Sequence, residues 1–153
     1  MRIMGVDLGL RELGYAVLEK SKVVKAGKIK VKSKNPLEKR VYTIYEEFKR
    51  LLDDLNPDIV VYESAFYSVN PRSYSALSLS LGAVLIASAE KGKKVEELTP
   101  AEIKKSITGK GNAGKNAVKY MVSKILNIEK ISDEHISDAI ACALCYQMRS
   151  ENE

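Results

Sequence analysis

The chain has 153 residues, of which 45% are hydrophobic and 29% charged, and its formal net charge is +5. That length suits one domain, residues 1–153, burying about two-thirds of its unfolded surface without disulfide or metal staples. No apolar run comes near the roughly 20 residues of a membrane span, and "MRIMGVDLG" shows no apolar stretch followed by a small-residue cleavage site. The expectation is therefore a cytoplasmic protein with no membrane partner.

"RIMGV", residues 2–6, reads as a strand apolar on both faces, and such strands are buried in the middle of a sheet. Asp7 ends it, just before Gly9 and Gly14. "LGYAVLEK" and "KVVKAGKIKVK" alternate as antiparallel strands joined by a tight turn at 20–22. Seven lysines lie between Lys20 and Lys34. They suit either a solvated edge hairpin that resists edge-to-edge pairing or a surface facing a polyanion.

From Pro36 onward, Leu37, Val41, Ile44, Tyr45, Phe48, Leu51, Leu52 and Leu55 form a helical apolar stripe, stopped by Asn56-Pro57-Asp58. "DIVVYES" is a buried strand ending at Glu63. A long helix is expected over about 72–91, ended by Gly92, and "KKVEEL" forms the fifth strand. Thr99, Pro100 and Glu102 spell a helix start with a capping box. After the loop "GKGNAGK", Val118, Met121, Val122, Ile125 and Leu126 mark another amphipathic helix. A last helix is expected from near Ser132 to Met148, with "RSENE" frayed. The order describes an α/β fold with a five-stranded mixed sheet, three antiparallel strands followed by strands alternating with helices, and helices on both faces.

Asp7 and Glu63 raise a chemical question, because each ends an otherwise apolar strand. If the two strands pair in parallel, the carboxylates become neighbours about 5 Å apart at Cβ. "DEHISDAIACAL" adds His135 and Asp138, at i and i+3 on one helix face. Carboxylates forced together do not all ionise without a cation, whereas hard divalent ions favour such a set. Asp7, Glu63, His135 and Asp138 thus suit a two-metal phosphodiester hydrolase. The ordinary alternatives are an Asx turn at Asp7, a surface Glu63, and first-turn polar residues on the last helix.

Two patterns point elsewhere. "GKGNAGKN" matches part of a P-loop, but it lacks the Ser or Thr for Mg²⁺ and follows a helix rather than a strand. It remains a candidate phosphate contact. "DLGLRELG" also occurs in actin-like ATPases, which need a second such strand and turn. Cys142 and Cys145 sit within an apolar stretch with no second pair, and read as buried small hydrophobes.

Across nearly the whole chain, the sequence resembles the RuvC family of Holliday junction resolvases, on an RNase H-like fold. "IMGVDLGLRELGYAVLE", "VVYESAFYSVNPRSYSALSLSLGAVLIASAEKG", "LTPAEIKKSITGKGNAGKNAVKYMV" and "HISDAIACALCY" carry that resemblance. It implies that Asp7, Glu63, His135 and Asp138 are the metal-binding catalytic residues, with two Mg²⁺ or Mn²⁺ ions per active site. It implies a base-stacking role for Phe66 and DNA contacts by Lys104 and Lys115, and the same DNA-binding expectation extends to Tyr67 and Arg72. It further implies a homodimer making paired symmetric nicks in four-way junction DNA, with RuvA and RuvB as partners. Three departures stand out: Leu8 replaces a usual Pro, His135 stands where many members have Asp, and "LSLGAV" replaces "QARG", removing an Arg. The rival readings are a YqgF-type nuclease acting on RNA, a junction-binding protein without cleavage, and an actin-like nucleotide binder.

Overall fold

A computed structural model describes residues 1–64 and 70–152. The strands β1 (Arg2–Asp7), β2 (Glu12–Glu19), β3 (Lys22–Lys30), β4 (Ile59–Glu63) and β5 (Lys94–Leu98) form one five-stranded sheet in the order β3-β2-β1-β4-β5. β1–β2 and β2–β3 pair antiparallel, while β1–β4 and β4–β5 pair parallel, so the sheet is mixed as expected. The hairpin between β2 and β3 turns on Lys20 and Ser21, both at positive φ (50° and 62°). Neither is the Asn or Gly usual in that conformation. Gln147 compensates, donating to the Ser21 hydroxyl at 2.6 Å while accepting from its backbone N–H at 3.2 Å. β3 is an edge strand, so its lysines guard an edge.

Side chains alternate across β1, sending Ile3 to one face and Met4 and Val6 to the other. The Met4 face is covered by α1 (Leu37–Leu55) and α2 (Pro71–Glu90), with Ile44, Phe48, Leu52, Val84 and Ala87 buried against it. The Ile3 face is covered by α3 (Pro100–Thr108), α4 (Lys115–Leu126) and α5 (Glu134–Glu151). The capping box at Thr99 and Glu102 forms as read. Cys142 and Cys145 are buried, free thiols.

Two sequence expectations need correction. α5 does not stop at Met148 but runs through "RSE" to Glu151. Arg149 reaches Glu102 on α3, and Gln147 bonds both Ser21 and Glu151, so tertiary partners hold the last turn. α2 is long and apolar enough, by length and composition, to cross a membrane. Its serines interrupt any continuous apolar run, but its only charges are Arg72 and Glu90, near its two ends. Here one side of it lies on the sheet and α1, burying Ser80, Ala83, Val84, Ala87 and Ser88.

Candidate active site

β1 and β4 run parallel with Val6 opposite Tyr62, so the next residues along that register are Asp7 and Glu63. Both carboxylates leave the sheet on the side that α5 covers, since Gly5 and Val61, two residues earlier, face the same way. The close approach of α5 depends on two glycines. A Cβ on Gly5 would lie 2.0 Å from the Ala139 carbonyl oxygen, and one on Gly14 would lie 2.5 Å from that of His135. Small residues on both surfaces thus bring the first turns of α5 down onto β1 and β2. The run "DAIACA" supplies them on the helix side.

That packing brings His135 and Asp138 to the two strand ends. His135 Nδ1 is 2.6 Å from Asp7 Oδ2, and its Nε2 is 3.4 Å from Glu12 Oε2. The Asp133 side chain accepts from the Ile136 N–H as the N-cap of α5. Asp133 also pairs with Lys28 at 2.7 Å, and Lys28 reaches Glu12 at 3.2 Å. Lys28 therefore ties the β3 edge to the start of α5 and to the imidazole's second carboxylate.

The electrostatics are those of acids held together against their preference. Burial raises Asp7 from 3.8 to about 6, with the His135 bond lowering it and the Asp138 charge adding to the rise. Glu63 is raised by burial and then by Asp138 and Asp7; Asp138 is raised mainly by burial. Lys115, at the start of α4, is 3.6 Å from Asp138 and 2.7 Å from Glu134. It lowers all three acids, and Lys104 on α3 lowers Glu63. Glu134 is pulled down to about 2 by its bonds to Lys115 and Lys119.

Among the described residues, no three His, Cys, Asp or Glu side chains already converge to metal-ligand geometry. The donor set nonetheless suits a hard divalent cation: three desolvated carboxylates whose ionisation is disfavoured, with an ammonium beside them in part compensation.

The structure therefore brings together Asp7, Glu63, His135, Asp138 and Lys115, with Lys104 close enough to act on Glu63. Arg72 lies elsewhere, in a groove that His135 also lines. Phe66 and Tyr67 fall outside the described residues. Sequence reasoning passed over Glu12, Lys28 and Glu134. Glu12 carried one usable signal, an acid in the turn that follows a candidate ligand. Lys28 looked like one lysine of a basic run.

A model of the family described as "Crossover junction endodeoxyribonuclease RuvC" matches residues 3–146. A relative of that name from Chlamydia pneumoniae is 38% identical over 152 residues, covering 94% of this chain and 90% of its own. Among solved structures, "T. thermophilus RuvC in complex with Holliday junction substrate" superposes with a TM-score of 0.92 at 28% identity, covering 99% of this chain and 96% of that one. The yeast mitochondrial Holliday junction resolvase Ydc2 shares the fold, with a TM-score of 0.65, 14% identity, and coverage of 95% and 78%. The mixed sheet with helices on both faces is thus of the RNase H-like kind.

Proposed function

The chain belongs to the RuvC family of crossover junction endodeoxyribonucleases, and from that premise we propose that it resolves four-way DNA junctions by paired symmetric nicks. The observation that carries this reading is the group of Asp7, Glu63 and Asp138, all raised by burial at the meeting of β1, β4 and α5.

In this reading Asp7, Glu63, His135 and Asp138 would hold two Mg²⁺ or Mn²⁺ ions. Such ions, when bound, acidify water and neutralise charge on the leaving oxygen of a phosphodiester. The chain's own groups do the rest. Asp7 is oriented by the imidazole it bonds, and Glu12 and Lys28 keep that ring in place. Lys115 and Lys104 draw the scissile phosphate to a site that three carboxylates would otherwise repel. Residues 1–153 act as one nuclease domain, and a chromosomal substrate puts its work in the cytoplasm, with RuvA and RuvB as partners.

The homodimer draws support from α2. Its outward side exposes Leu79, Leu85 and Ile86, and around them lies Gly82, where an added Cβ meets nothing within 4 Å. A mid-helix glycine costs about 1 kcal/mol relative to alanine, and none of the described residues approaches it closely enough to require it. A second copy of the helix would use that space. A single-chain mass by sedimentation at micromolar concentration would remove the dimer.

The deciding experiment incubates the protein with a mobile four-way junction, a linear duplex and structured RNA, with and without Mg²⁺. Symmetric nicks confined to the junction and dependent on the ion are expected. Cleavage of RNA alone would support a YqgF-type activity, and binding without cutting would support a junction-binding protein.

A further inference from the structure

The chain has six arginines. Arg2, Arg50 and Arg149 are each in an ion pair, with Glu19, Glu47 and Glu102. The other three, Arg11, Arg40 and Arg72, have no ion pair among the described residues, and all three line one groove of about 1300 Å³. Three distant stretches of sequence bring them there: the β1–β2 turn, the first turns of α1 and the first turn of α2. Lys30, at the end of β3, adds a fourth cation.

Arg40 shows the clearest demand for a partner. Its Nε is shielded from solvent and has no hydrogen-bond acceptor among the described residues. A buried donor left unpaired is costly, and more so when the group is charged. Among the described residues the only acid lining the groove is Glu12, whose carboxylate is already engaged by Lys28 and His135. Intramolecular charge therefore does not satisfy these guanidiniums.

The groove is continuous with the candidate active site, because His135 lines both. It lies on the α1–α2 side of the sheet, opposite Lys104 and Lys115 on the α3–α4 side. Guanidinium forks match phosphate oxygens in pairs, and a row of them follows a sugar–phosphate backbone.

We infer that this groove is a second DNA-binding site, in which Arg11, Arg40 and Arg72 grip the phosphates of the strand running away from the scissile bond. This rests on the junction-cleaving reading above and extends it to the far side of the sheet.

The test measures equilibrium binding of a labelled four-way junction to full-length Asp7→Asn protein, used to prevent cutting, over a range of KCl concentrations. Each phosphate contact contributes about 0.9 to the slope of log affinity against log salt. Adding Arg11→Gln, Arg40→Gln and Arg72→Gln together should therefore lower that slope by about 3. Between 50 and 200 mM salt the parent should lose about 40-fold more affinity than the triple variant. Arg50→Gln, which removes a paired arginine outside the groove, should leave the slope unchanged.

Arg40 is half-buried, so its replacement could destabilise the fold; melting and circular dichroism check this. Arg11 and Arg72 are exposed, and their double replacement should lower the slope by about 2 regardless. A parent that binds the junction while both variants keep its slope and affinity would overturn the groove and leave the nuclease reading standing. A parent that shows no junction binding, from a wild type that does not cut junctions, would overturn both.

Discussion

The two sides of the sheet meet the candidate active site with opposite electrostatics. On the α3–α4–α5 side most flanking charges are paired: Lys115 with Glu134 and Asp138, Lys119 with Glu134, and Lys28 with Asp133 and Glu12, Lys104 being the exception among the described residues. On the α1–α2 side Arg11, Arg40 and Arg72 lack ion-pair partners among the described residues. The paired side offsets, within the chain, the cost of gathering acids in a desolvated place. The unpaired side keeps charge available for something outside it. A polyanion that must be both held and hydrolysed needs both, and separating them keeps the grip from competing with the chemistry.

The sharpest division between the two sides comes from Asp7→Asn. Asparagine keeps the shape but removes the charge that would hold the ion. Junction cleavage in Mg²⁺ should fall on the order of 10³-fold or more. Binding, which the cations carry, should persist or tighten. Parallel loss of binding and cleavage in a gel-shift and cleavage series would show that grip and chemistry are not separable.

Lys115→Met probes the paired side itself. Lys115 lowers Asp7, Glu63 and Asp138 together, so without it all three should rise further. The acid limb of the cleavage–pH profile should move to higher pH, and the rate near neutrality should fall roughly 10–100-fold. An unmoved acid limb would mean that Lys115 serves DNA alone.

These expectations bear on how much the sequence could reveal. Asp7 and Glu63 were legible because acids at the ends of apolar strands violate local preference, and such violations mark functional sites. His135 and Asp138 were legible from their i,i+3 spacing on a helix. Arg40 was not, because on α1 it is one more polar residue beside an apolar stripe. Its isolation depends on where β3 ends and α2 begins, which no local pattern contains. Glu12 was missed for a similar reason: its partners Lys28 and His135 come from a strand and a helix far away in the chain. The last turn of α5 was misread because tertiary partners, rather than helix propensity, hold it.

Smaller in size is the effect of pH on the metal-free protein. Asp7 titrates at 3.8 ordinarily and at about 6 in the fold. Between about pH 4 and pH 6 the native state keeps a proton that the unfolded chain has released, so stability falls as pH rises through that window. The penalty is complete above pH 6 and amounts to at most about 3 kcal/mol. Asp7→Asn removes it while losing the charge-assisted bond to His135. In EDTA at pH 7.5 the variant should melt a few degrees above the wild type, and the difference should shrink at pH 4.5. Divalent ions should raise the wild-type melting temperature more than the variant's. Equal responses to EDTA and Mg²⁺ in the two proteins would argue against an ion at Asp7.

The smallest effect belongs to Glu12, an acid that lies on both sides of the comparison. It pairs with Lys28, approaches His135 Nε2, and is also, among the described residues, the only acid facing the basic groove. Glu12→Gln preserves its size and removes its charge. Lys28 would keep Asp133 at 2.7 Å, so the start of α5 should stay in place and melting should change little. The imidazole loses one of its two carboxylates, and its hold on Asp7 loosens. Turnover at saturating Mg²⁺ should therefore fall about tenfold, the low end for the loss of one residue behind a metal ligand. In the groove the same change removes a repulsion from the phosphate backbone. An exposed charge of this kind contributes at most about 1 kcal/mol, so junction affinity at low salt should improve about twofold to threefold. Rate and affinity would then move in opposite directions from a single substitution. If both fell together, Glu12 would be holding the site's shape and the groove would not be carrying DNA. If only the rate fell, the backbone would pass the active site without touching the α1–α2 side.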